Sequence, residues 1–136
     1  MPSANLSDAA KCPFVVLARF DSSTSPKAGV SNEDLYFQGL RCHFVVEKIL
    51  KAAAKSELTQ GAKFALQYEF QDGSACQMPR DFEWQKSLPV PKSRWILYME
   101  PAGCQSGELY RTYRGDFGAR PFSAAALKEA QALVAR

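Results

Sequence analysis

The chain has 136 residues, 46% of them apolar and 23% charged, which suits one domain with its own core and excludes a disordered polymer. Lys and Arg outnumber Asp and Glu by 17 to 14, and the resulting net charge of +3 is too small for the concentrated basic stripe of a typical nucleic-acid binder. No apolar run is long enough for a membrane-spanning helix, and the opening residues lack the basic start and long apolar stretch of a signal peptide.

Residues 1–11 read as an N-terminal extension, and Asn5-Leu6-Ser7 within it is a glycosylation sequon, a pattern that often arises by chance. Phe14 to Phe20 (FVVLARF) is rich in branched and aromatic side chains and predicts the first strand. Asp21 to Asp34 is rich in Ser, Thr, Pro, Gly and acidic residues and predicts a long loop. Leu40 to Leu50 predicts a second strand, with Leu40, Cys42, Phe44 and Val46 on one face and a bulge or strand end near Lys48. Lys51 to Lys55 is alanine-rich and predicts one helical turn. Lys63 to Phe70 predicts a third strand with Phe64, Leu66, Tyr68 and Phe70 facing inward, and residues 75–93 are irregular. Arg94 to Met99 predicts the fourth strand and Glu108 to Arg114 the fifth, with a loop at 115–118. Ser123 then caps a helix from Ala124 to Arg136. The whole is an all-β pattern with helical trim, closer to a small barrel than to a sandwich of about seven strands.

Glu33 to Gly39 (EDLYFQG) resembles the recognition sequence of a potyviral protease used to remove purification tags, matching at six of seven positions. It admits three readings: a tag boundary, an engineered replacement of a native loop, or coincidence in a natural segment. The engineered loop within 21–39 is the reading favoured by the strand that lies upstream.

Four cysteines (Cys12, Cys42, Cys76 and Cys104) are scattered without a C-x-x-C pair and accompany a single histidine, so no metal site or cofactor is predicted. They suit one or two disulfides or buried thiols. His43 alternates out of phase with Cys42 and Phe44 and is expected to face solvent. No nucleophile motif accompanies it, and Asp81 and Glu83 read as solvated surface, so no catalytic residues are assigned and the chain is expected to be non-enzymatic. Two basic groups, Lys48, Lys51 and Lys55 after the second strand and Arg111, Arg114 and Arg120 around the fifth, offer contacts to a polyanion or form a solvated edge. Aromatic residues including Tyr68, Trp95, Tyr98 and Tyr110 are expected in the core rather than on a base-stacking platform. Leu127, Ala130, Leu133 and Val134 form a helical stripe that packs on the barrel or meets a partner.

The order of CPFVVLARF, a long loop, FVVEKILK, FALQYEF, a cysteine and RWILYMEP resembles the netrin-like and tissue-inhibitor-of-metalloproteinase-like (TIMP-like) OB-fold superfamily over about residues 12–136. The likeness is strongest to the agrin N-terminal domain and the N-terminal domain of long neuregulins. The resemblance implies a five-stranded OB-like barrel with a C-terminal α-helix, acting as a secreted module that binds an extracellular protein or heparan sulfate. It implies a Cys12–Cys76 bridge, and it implies that Leu127, Val134 and Ala130 contact a laminin-like coiled coil. Eleven residues precede Cys12, so insertion of an N-terminal cysteine into a protease zinc site, the metalloproteinase-inhibitor mode, is not expected. The alternative is an intracellular OB-fold protein that binds single-stranded nucleic acid through exposed strand aromatics. A small enzyme is the third.

Overall fold

A computed structural model describes residues 5–26, 28–52, 58–71, 76–102 and 109–135. Six strands form one sheet: β1 (Phe14–Ser23), β2 (Leu40–Lys51), β3 (Lys63–Tyr68), β4 (Arg94–Pro101), β5 (Tyr110–Thr112) and β6 (Ala119–Pro121). Their order is β1-β2-β3-β5-β4, and β4 returns to pair with β1, which closes a five-stranded barrel. β3 and β5 run parallel and the other pairs antiparallel. This is the OB-like barrel expected of the sequence. β6 is an extra strand, carried on β4 alongside Trp95–Leu97, while β5 occupies Met99–Pro101 of the same edge.

The alternation that marks the strands sorts side chains to two places. Phe14, Val16, Ala18 and Phe20 of β1 join Phe44, Val46, Phe64, Leu66, Leu97, Met99 and Tyr110 inside the barrel. Aromatic edges fill it: Phe14 meets Tyr110 at 5.3 Å, Phe20 meets Phe44 at 5.5 Å, and Phe44 stacks on Phe64 at 6.0 Å. The opposite phase, Val15 and Leu17 of β1 with Ile96 and Tyr98 of β4, makes a second apolar cluster on the outer surface. The bulge expected near Lys48 is present as register shifts at Val15/Val16 and Leu17/Ala18, opposite Lys51–Val46.

That outer cluster is roofed by α1 (Leu6–Ala9) and α4 (Ala124–Val134). Ser123 caps α4 as expected, its Oγ accepting the Ala126 N–H at 3.0 Å. Asn5 caps α1 by accepting the Asp8 N–H at 2.9 Å. Because Ala9 and Ala10 are buried against Val15 and Leu17, residues 6–10 belong to the domain rather than to an extension before it.

The protease-like segment is also part of the fold, and the loop expected over 21–39 contains a helix. Asn32–Gln38 is a helix, α2, capped by Ser31, with Leu35 and Tyr36 buried. It packs on the segment around α3 (Trp84–Ser87): Asn32 Nδ2 donates to the Phe82 carbonyl at 2.6 Å, and Tyr36 meets the Phe82 ring edge-on at 4.9 Å. Gly39 ends the helix at φ +82°, and a Cβ there would lie 2.5 Å from the Tyr68 carbonyl oxygen, so only glycine lets α2 run directly into β2. The strands predicted at 63–70 and 108–114 are shorter, Lys63–Tyr68 and Tyr110–Thr112, and 115–118 is a 3-10 turn. Of the turn expected at 51–55, Lys51 ends β2 and residues 53–57 lie outside the described residues.

Two outcomes test this packing. Gly39→Ala destabilises the domain by about 1–3 kcal/mol, measured by urea unfolding. The potyviral protease needs its site extended, so the native protein resists cleavage after Gln38, while the same stretch as a short peptide is cut. Equal cleavage rates would contradict the helix.

Candidate functional site

The outer apolar cluster marks a covered side of the barrel surface, and the described residues leave another side bare. α4 lies over β1, β4 and the far end of β2, where Ala130 is 0% exposed and Leu127, Leu133 and Val134 are half-buried against the outer cluster. The stripe that the resemblance assigns to a coiled-coil partner is thus spent on the barrel itself, and its spacing of three and four residues reflects that packing.

The bare side is the outer face of β2, β3 and β5. The pairing places Arg41 beside Gln67, and Gln67 beside Arg111, in one row across three strands. His43 lies beside Ala65 in the next row and Val45 beside Lys63 in the one after. Small side chains at the centre and long polar ones at the rim leave this face shallow. Lys63 Nζ reaches Asp21 at 2.8 Å, and that hydrogen bond holds the Asp21 carboxyl below its ordinary pKa. Arg111 Nε donates to Glu100 Oε1 at 2.8 Å. Gln67 Nε2 donates to the Gln38 carbonyl at 2.8 Å, tying the row to the end of α2. Arg41 is exposed and makes no ion pair among the described residues.

The basic residues named from the sequence do not form one patch. Lys48 is exposed near the end of β2; Lys51 is half-buried and donates to the Ala10 carbonyl at 2.9 Å; Lys55 lies outside the described residues. Arg111 sits on β5, separated from β2 by β3, and Arg114 is half-buried at φ +50° in the following turn. Behind Arg111, burial pushes the Glu69 carboxyl up in pKa, with Asp116 adding to the effect and the Arg111 charge opposing it. Arg41 and Lys63 were missed in the sequence because neither belongs to a local run of basic residues; pairing register alone puts them on the same face as Arg111.

His43 is half-buried on the bare face, in the outward phase expected of it. Among the described residues no group of three His, Cys, Asp or Glu side chains could hold a metal ion. The inward phase claims the barrel aromatics Phe44, Phe64, Tyr68 and Tyr110, so the described outer positions of β2, β3 and β5 present the His43 ring but no Phe, Tyr or Trp on which a base could stack.

The cysteines require a correction. Cys12, Cys42 and Cys76 are all free thiols, so the Cys12–Cys76 bridge implied by the resemblance is absent. Topology gives the reason. Cys12 precedes β1 at the end of the barrel where Lys51 finishes β2, whereas Cys76 follows β3 near Met78, whose sulfur contacts Asn32 ahead of β2 at the other end. The length of β1 separates them, far beyond the roughly 7 Å between Cα atoms that a disulfide tolerates. Cys104 lies outside the described residues. Burial pushes the Cys42 thiol up to about 12 and raises Cys12 as well, with Glu100 adding to the latter. Compared with known proteins, the chain matches no family model and no curated protein.

These positions make three predictions. Cys76 is exposed and alkylates at once under native conditions, while Cys42 reacts only on unfolding; mass spectrometry over a time course reads both. The fold favours the neutral Cys42 thiol, so its contribution to stability is complete below about pH 9 and is lost as pH rises from 9 toward 12. Leu127→Ala lowers stability by about 1–2 kcal/mol, less than a fully buried leucine would, as calorimetry will show.

Proposed function

We propose that the protein is a non-enzymatic extracellular binding module of the netrin-like kind, secreted or at the cell surface, that docks a sulfated polysaccharide of heparan-sulfate type on the bare β2–β3–β5 face. The observation that carries this reading is the row Arg41–Gln67–Arg111 on a broad side of the barrel that no helix among the described residues covers. Outer faces of strands 2 and 3 are where OB barrels bind oligosaccharides and oligonucleotides. Arg41 makes no ion pair among the described residues and is the charge open to an anion, while Lys63 and Arg111 are paired with Asp21 and Glu100. A polymer with repeated sulfates competes for Lys63 and Arg111 without needing either to move far. The bare face supports a saccharide over single-stranded nucleic acid, because among the described residues it carries no Phe, Tyr or Trp and only the His43 ring for stacking. The engagement of Leu127, Ala130 and Val134 with the barrel weighs against a laminin-like coiled coil.

Retention on immobilised heparin tests the reading. The protein is held at low salt and released with a shallow salt dependence, since each neutralised charge contributes roughly 0.7–0.9 to the logarithmic slope and the face offers about three. Arg41→Glu weakens retention and Lys48→Glu does not. Passage without retention at low salt, or equal loss from both variants, would overturn the proposal, and tighter binding to single-stranded DNA would favour the nucleic-acid alternative.

A further inference from the structure

The side of the barrel away from that face carries a cleft of about 330 Å³ where α1, β6 and the start of α4 meet. Its walls include Leu6, Phe122 and Ala126, and its polar groups include Tyr98, Arg120 and Glu129. Tyr98 decides what the cleft is. The residue is 1% exposed, yet its hydroxyl has no hydrogen-bond partner among the described residues and opens onto the cleft. The hydroxyl is not sealed off in the dry, so water in the cleft reaches it, and a ligand there takes that water's place. The two charged walls both act on it: burial raises its pKa first, Glu129 raises it further, and Arg120 opposes them. Arg120 is held over the Phe117 ring, 5.3 Å from its centroid, and makes no ion pair among the described residues.

The cleft therefore holds one fixed cation, one anion, an unused hydroxyl and an apolar floor in a space suited to about a dozen heavy atoms. The N-terminus of α4 adds partial positive charge on the Ser123 side, and Glu129 lies more than one turn further along the same helix. We propose that this cleft binds a small zwitterion, a free α-amino acid with an apolar side chain. Its carboxylate lies between Arg120, the Tyr98 hydroxyl and the start of α4, its ammonium faces Glu129, and its side chain rests on Leu6 and Phe122. A simple anion would face Glu129 and a simple cation would face Arg120, so a ligand with both charges matches the walls best.

Titration of the whole protein with free leucine, followed by amide chemical shifts, tests this directly. Leucine moves resonances of Arg120–Ala126 and Glu129 in a saturable way. N-acetyl-leucine lacks the ammonium and leucine amide the carboxylate, and each binds about tenfold more weakly or worse. Tyr98→Phe keeps the ring and the fold and weakens leucine by about fivefold or more; Glu129→Gln weakens leucine while leaving N-acetyl-leucine unchanged. No saturable shift with leucine, phenylalanine or methionine overturns the proposal. So does binding in which N-acetyl-leucine equals leucine, because the site would then read only an anion and an apolar group.

Discussion

β1 is paired on both edges and buried on both faces, and the rest of the structure is arranged around that condition. Its backbone bonds to β2 along one side and to β4 along the other, and the second pairing closes the barrel. Phe14, Val16, Ala18 and Phe20 fill the interior, while Val15 and Leu17 emerge on the outside, where water would meet them. A strand of this composition is stable only if its outer face is roofed. α1 and α4 supply the roof, and their apolar residues are consumed in doing so.

This economy decides which surfaces remain for binding. Helices on the β1–β4 side turn one half of the barrel into a second core and leave the other half bare. The bare half is polar because β2 and β3 obey strict alternation there, with the aromatics drawn inward. Its chemistry is that of a few separated cations over a shallow floor, which suits a repeated anionic polymer. Among the described residues, the covered half keeps a seam between its roofing helices and β6. That seam combines charges of both signs with an apolar wall, and so calls for a small, doubly charged ligand.

Much of this was legible in the sequence, and the reason is period. FVVLARF, the alternation from Leu40 to Val46, KFALQY and RWILY each carry a signal that local sequence alone sets, and Ser123 before an alanine-rich run marks α4. What was not legible depends on contacts distant in sequence. α2 has only seven residues and acidic, aromatic and amide side chains without a clear stripe; it is held by Phe82 and by the close approach of Gly39 to Tyr68. The Arg41–Gln67–Arg111 row brings residues from three strands together through register. Tyr98 looks like an ordinary core aromatic until Arg120 and Glu129 are seen beside it. The cysteines misled because spacing along the chain says nothing about which end of a barrel each residue occupies.

The central claim is that the covered side is structural and the bare side is the docking surface. Amide chemical-shift mapping with a defined heparin oligosaccharide tests it most directly. The account predicts shifts concentrated at Arg41–Val45, Lys63–Gln67 and Arg111, with α4 unchanged. Shifts concentrated on Leu127–Val134, with the strands silent, would contradict it.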